Sequence, residues 1–430
     1  MGGDTRVVHH NIRVNLAPER GTMAATDTMF FGGEGTELLV YLGKGFTLTE
    51  ATQGGRNLSI EMVEEQRRAR RYRLSGWDPT RMTATLKWEG RVGEFEVSKV
   101  CSISPRVVEL SGFGAWFPTI KPSCYDEQFT YQLDADLPED WALVMPGISS
   151  HGDVRRRHHD WQRPIEDIFI CAAPHLNHLE SETDGQVLRV YFAGLSVEVG
   201  TALIDDYVQS VRMMEKYFGS MLHGRGGVVV ISPRSPSGDS WGFERGDLWV
   251  AGDEFVNGLV KSDWQPDYLP GPMSPSLHES IHSWIGLGLQ FVQPWLAESI
   301  TQYLQVVLSE ELFSQPGLAD SYFQWYVPRI RAALVRDDRA IANLTLADNP
   351  YDHWYLKGSW CFWDLESEVG RDGLISALAA IYRHHVAATL DYDSFVREMS
   401  EQLCRPLDEH FNYWFKERDF SPLCRSTLEL

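Results

Sequence analysis

The sequence predicts an α+β chain of more than one domain, β-rich over residues 1–195 and mainly α-helical over residues 196–430. Three observations lead there. Runs such as Val7 to Leu16, Glu37 to Leu42, Arg91 to Ile103 and Val187 to Val199 alternate apolar and polar residues or are β-branched, with Gly, Pro and Asp clusters between them. Near residue 200 the period changes, and Ala202, Ile204, Tyr207, Val211, Met214 and Phe218 recur at helical spacing. The chain has 430 residues and 43% hydrophobic content, enough for two or three well-formed cores.

The elements follow in order. Gly219 closes the first helix, and Gly227 to Ile231 reads as a strand. Ser274-Pro275 is a good helix start, with Ser as N-cap and Pro in the first turn. That helix should run to Trp284-Ile285, where Gly286 and Gly288 weaken it. A second helix is expected from Pro294-Trp295, with Leu296, Ile300, Tyr303 and Val307 as its apolar stripe and Glu298 in its first turn. From Ser309 onward the pattern is mostly helical. No internal repeat or low-complexity tract interrupts it.

Within the first of these helices lies His278-Glu279-Ser280-Ile281-His282. Composition alone would produce such a pattern roughly 0.03 times per chain. A helix carries the two histidines onto one face, where both imidazoles can reach one zinc ion while Glu279 stays beside it. A catalytic zinc site needs a third protein ligand, an open position for water and a carboxylate to take that water's proton. Glu298 on the following helix supplies a carboxylate and completes a His₂Glu set. A Glu at a helix start is also favoured by the helix dipole alone.

The stretch HESIHSW…PWLAESITQYLQ resembles the gluzincin metallopeptidases of the aminopeptidase N type and the related glycyl aminopeptidases, whose pattern is HExxH followed by W-L-x-E-G-x-x-x-Y. The resemblance implies an antiparallel β-sandwich-like N-terminal domain and a thermolysin-like, mainly α-helical zinc peptidase domain. Residue by residue, it implies His278, His282 and Glu298 as ligands of Zn2+ and Glu279 as general base. Trp295, Leu296 and Tyr303 are in step with the pattern. Two departures stand out: the spacer of 15 residues between His282 and Glu298 is shorter than the aminopeptidase N type usually has, and Ser299 replaces Gly. Tyr355-Leu356-Lys357-Gly358 resembles the segment whose tyrosine donates to the developing oxyanion. A tyrosine suits that task, since its O–H stays protonated at neutral pH. Tyr351 lies in the same aromatic stretch, where packing competes as an explanation. Gly242-Phe243-Glu244-Arg245 is similar to the G-x-M-E-N and G-G-L-E-H segments, in which an edge strand holds the substrate's α-amine. That implies Gly242 and Glu244 as substrate-binding residues, although Arg245 departs from both versions.

Sixty acidic against 39 basic residues give a formal charge of −21, which argues against nucleic acid and acidic membrane surfaces as partners. The N-terminus has no apolar core of signal-peptide length, and the six cysteines show no CxxC spacing. A reduced cytoplasmic setting is expected. The chain is also expected to lack the long C-terminal helical domain of the large aminopeptidase N-type enzymes, which leaves a more open cleft. The leading functional expectation is a zinc-dependent aminopeptidase acting on peptides. An endopeptidase or specialised peptide-processing hydrolase with the same site is the alternative, and a non-catalytic binding protein on the same fold is a further one. Side-chain preference and oligomeric state are not legible in the sequence.

Overall fold

The computed structural model describes residues 5–33, 37–66, 69–93, 101–121, 127–147, 153–183, 186–192, 196–221, 228–232, 243–245, 248–252, 270–345 and 351–417. Contacts divide the chain into two compact units. The first comprises Met1–Glu182, Val187–Gly200 and Gly226–Gly258; the second comprises Thr183–Gln186, Thr201–Arg225 and Leu259–Leu430. The strands Val228–Ser232 and Leu248–Gly252 thus count with the first unit although they lie beyond residue 195.

Period-2 burial builds the first unit. Strand Arg6–Ala17 buries Ile12, Val14 and Leu16 and turns the residues between them outward, so one face belongs to the core. It sits in a seven-stranded sheet with the order 158–165, 129–136, 6–17, 22–32, 83–91, 46–53 and 56–57. One pairing, between Arg6–Ala17 and Phe129–Asp136, is parallel, and the others are antiparallel. A three-stranded and a four-stranded antiparallel sheet share its apolar core. Two buried indoles stitch that core: Trp88 donates to the Trp116 carbonyl at 2.8 Å, and Trp116 donates to the Ile168 carbonyl at 2.7 Å. Each buried N–H is thereby satisfied without opening the core to water.

A five-stranded sheet follows, ordered 177–183, 186–192, 228–232, 248–252 and 243–245. Gln186–Phe192, Val228–Ser232 and Leu248–Gly252 run parallel, and Phe243–Arg245 pairs antiparallel at the edge. The strand-like run expected from Val187 to Val199 is shorter than its pattern: it ends at Phe192, and helix α1 (Val197–Phe218) has begun by Val197. The run Arg91 to Ile103 also divides, into the end of strand Thr83–Arg91 and strand Cys101–Ile103, with residues 94–100 outside the described residues.

The second unit is helical: α2 (Pro275–His282), α3 (Pro294–Leu312), α4 (Leu318–Arg336), α5 (Gly358–Val369), α6 (Arg371–His384), α7 (Tyr392–Gln402) and α8 (Asp408–Lys416). Helix α3 is its centre, buried on almost every face from Trp295 to Ser309. A helix apolar all round belongs inside a bundle. Helix α2 stops at His282, short of the expected Trp284-Ile285. The Leu287 N–H bonds back to the His282 carbonyl at 3.0 Å, and Gly286 takes φ +128°, which an L side chain rarely adopts. Among the described residues, no helix is long and apolar enough to cross a membrane.

Candidate metal centre

Helix α2 is only eight residues long, so its ends decide whether it holds. Ser274 caps it in an extended conformation and accepts from the Leu277 N–H at 3.0 Å, with Pro275 in the first turn. The Ser274 hydroxyl lies 3.0 Å from a carboxylate oxygen of Asp206 on α1, which ties the start of α2 to the longer helix. Burial raises the Asp206 pKa; its hydrogen bonds at the head of α2 oppose the shift but do not cancel it.

Four residues apart on this helix, the His278 and His282 rings lie 5.1 Å centroid to centroid. Each uses Nδ1 for a protein partner. His278 Nδ1 donates to Gln305 Oε1 at 3.1 Å, and His282 Nδ1 donates to the Ile285 carbonyl at 3.1 Å, with the Thr301 hydroxyl at 3.4 Å. Gln305 in turn donates to the Ser274 carbonyl at 3.0 Å, locking its amide orientation. Those bonds place the proton on Nδ1 and leave both Nε2 atoms as lone-pair donors facing one point.

Glu298 of α3 meets them there. Its Oε2 lies 3.3 Å from His282 Nε2 and 3.8 Å from His278 Nε2, yet this buried oxygen has no hydrogen-bond partner. Burial alone would raise its carboxyl, but when the adjacent imidazoles are protonated their charge and hydrogen bonds outweigh burial and hold it well below the usual carboxylate range, the same pull that a cation at this point would exert. The ligand atoms of all three residues lie within 4.8 Å of one another, the one such group of His, Cys, Asp or Glu among the described residues. A tetrahedral zinc ion with bonds near 2.0–2.1 Å separates its donors by about 3.3 Å. The set therefore fits zinc after a small contraction. Glu298 lies past the first turn of α3, which contains no acidic residue, contrary to the placement read from the sequence. The helix-dipole account of this Glu fails with that placement, because the effect fades beyond the first turn.

Glu279 is buried beside the two histidines, 8% exposed. Tyr355 reaches the site from a π-helical turn, Asp352–Lys357, that leads into α5. Its ring stacks on His278 at 5.8 Å and 16°, and on Tyr351 at 4.6 Å and 20°. Asp352 anchors the start of that turn to α4, at 3.2 Å from Arg329 and 2.6 Å from Arg336. At its other end Lys357 is buried, and desolvation pushes its ammonium down to about 8.

Of the two substrate-binding expectations, one falls within the described residues. Glu244 lies on the edge strand Phe243–Arg245, opposite Trp249, while Gly242 lies outside the described residues. Sequence reasoning missed Gln305, Thr301 and Asp206. Gln305 and Thr301 carried a signal, being seven and three residues after Glu298 and so one or two turns along the same face of α3. Asp206 carried none, since it lies 68 residues before the serine it holds.

No family model matches this sequence, and no curated protein does either. Solved structures do share its fold. An M1 zinc metallopeptidase from Deinococcus radiodurans matches with TM-score 0.70 at 13% identity, over 98% of this chain and 96% of that one. An M1 zinc metallopeptidase mutant from the same organism, bound to a Tyr-Ser-Ala substrate, gives 0.69 at 14% identity, over 97% and 95%. Leukotriene A4 hydrolase from Saccharomyces cerevisiae gives 0.71 at 15% identity, over 98% of this chain and 69% of the longer one. The protein accordingly shares the α+β, multidomain fold of these structures.

Proposed function

We propose that this protein is a zinc metallopeptidase and, more finely, an aminopeptidase that removes N-terminal residues from peptides. The observation that carries the reading is the convergence of His278 Nε2, His282 Nε2 and a partnerless Glu298 Oε2 on one point, with both Nδ1 atoms already engaged. A Zn2+ ion held there supplies Lewis acidity and lowers the pKa of water, as in peptidase sites with three protein ligands.

The chain's own residues do the rest. Glu279 accepts the proton of the attacking water and delivers it to the leaving amine, so one carboxylate serves as base and then as acid. Glu279 is buried and adjacent in the chain to His278, so its carboxylate lies beside the metal ligands without being one of them. The Tyr355 hydroxyl donates to the carbonyl oxygen as negative charge builds, an interaction strongest in the transition state. Glu244 pairs with the substrate ammonium and fixes the chain end. In the structures of similar fold, a bound Tyr-Ser-Ala substrate and a bound L-tryptophan are consistent with peptides as the ligand class. Cys101, Cys361 and Cys404 are thiols, which supports a cytoplasmic setting.

Glu279→Gln tests the assignment. The variant should keep about one zinc per chain and lose nearly all hydrolysis of short peptides, because an amide cannot accept the water's proton. Wild-type protein without zinc, or a Gln variant with wild-type activity, would defeat the reading.

A further inference from the structure

We propose that Ser299 is the positioning residue for Tyr355, holding the peptide that precedes it against the helix that carries Glu298; this rests on the oxyanion role given to Tyr355 above. The Ser299 side chain is fully buried, and its hydroxyl lies 2.7 Å from the Trp295 carbonyl and 2.8 Å from the Trp354 carbonyl. The first contact is ordinary: a helical serine often bonds back to the carbonyl four residues earlier. The second is not local. It spans 55 residues and ends on the carbonyl immediately before Tyr355.

The Ser299 side chain also packs against the backbone at the end of the turn. A Cβ added to Gly358 would sit 1.9 Å from Ser299 Oγ and 2.8 Å from its Cβ, so the residue closing the Tyr355 turn cannot carry a side chain. The Tyr355 turn is π-helical, with carbonyls displaced from their α-helical positions, and a side-chain donor to one of them fixes the turn's register. Ser299 therefore couples two groups: its own backbone continues from Glu298, and its hydroxyl reaches the Trp354–Tyr355 peptide. The Tyr355 ring is stacked on His278, so a shift of the turn moves the phenol relative to the metal ligands. Misplacement of a catalytic group by about 1 Å can cost on the order of 10²-fold in rate.

Ser299→Ala keeps the Cβ and removes the anchor. Its kcat on a short peptide should fall about five- to tenfold, with KM and zinc content unchanged. In a Tyr355→Phe background the same substitution should change kcat by less than about twofold, because the group it positions is gone. Equal losses in both backgrounds, or loss of zinc, would overturn the proposal and make Ser299 a general packing residue. Amide exchange read without substrate gives a test that does not depend on catalysis. Peptide fragments covering Asp352–Lys357 should exchange faster in zinc-loaded Ser299→Ala than in the parent. Unchanged exchange would refute the anchor even in an active peptidase, whereas faster exchange in Ser299→Ala, with a parent inactive on every peptide, would support the anchor and refute the peptidase reading.

Discussion

A histidine that binds metal through one nitrogen is oriented by what the other nitrogen holds. In His278 that partner is the neutral Gln305 amide, in His282 the Ile285 carbonyl. Gln305 does two tasks, since it also bonds the carbonyl of the residue capping the same helix. Gln305→Ala should weaken zinc binding about 10- to 100-fold, read by competition with a chromogenic chelator. Gln305→Glu should restore only part of the affinity, because the carboxylate still accepts from Nδ1 but cannot donate to the Ser274 carbonyl. Retention of wild-type affinity in the Ala variant would show that ring packing alone orients His278. At this scale the sequence was informative where spacing encodes geometry. The His278–His282 step places two rings on one helix face whatever surrounds them. The facing of Glu298 was legible from the resemblance, but its depth in α3 was misread, because a helix that starts at Pro294 completes its first turn of about 3.6 residues before residue 298.

Single elements make those geometries stable, and α2 is the most exposed to failure. Two turns of helix are marginal alone, so the Ser274 cap and the Asp206 carboxylate carry much of its definition. Two effects act on Asp206. The positive end of α2 favours the charged carboxylate by about 0.3–1 kcal/mol, whereas enclosure can shift an acid upward by up to about 3–5 pH units. Burial wins, and the folded pKa lies above the ordinary 3.8. The sign follows. Below 3.8 the acid is protonated in both states and the shift contributes its full stability; as pH rises through the folded value, that contribution is lost. Asp206→Asn retains the acceptor for Ser274 without a charge. Its unfolding free energy minus that of the wild type should therefore increase as pH rises from about 4 to 7, in matched denaturant titrations. A difference constant with pH would mean that the ionised carboxylate is held at no cost. The Ser274-Pro275 start was legible because capping chemistry is local. The end of α2 and the π-helical turn of Tyr355 were not, for both depend on long-range contacts: Gly288 against Tyr382 in one case, Ser299 against Trp354 in the other.

Across the whole molecule, the change of hydrophobic period near residue 200 announced two kinds of architecture, and helix α1 follows it. Which strands pair with which was hidden, since pairings such as Arg6–Ala17 with Phe129–Asp136 join segments more than a hundred residues apart, and no local pattern names a partner. The edge position of Phe243–Arg245, by contrast, was implied by the resemblance, and the strand does lie at the end of its sheet. It bears on the last question, whether peptides are cut from their ends or internally. Under the aminopeptidase reading Glu244 pairs with a substrate ammonium, so removal of that charge should be felt only through Glu244. Acetylating a short peptide's amine should lower kcat/KM by about 1.5–3 kcal/mol equivalent in the wild type, because the Glu244 carboxylate loses its charged hydrogen-bond partner. Glu244→Ala should lose most activity on the free peptide and change little on the blocked one, so the two penalties are strongly non-additive. Mass spectrometry of matched peptides resolves the products, and a ladder shortened one residue at a time from the N-terminus is the expected pattern. Arg245, where both resembling patterns carry an uncharged or weakly basic residue, is the position that favours the alternative. Efficient internal cleavage of the acetylated peptide, unaffected by Glu244→Ala, would remove the exopeptidase assignment, leave the zinc site intact and make the protein an endopeptidase.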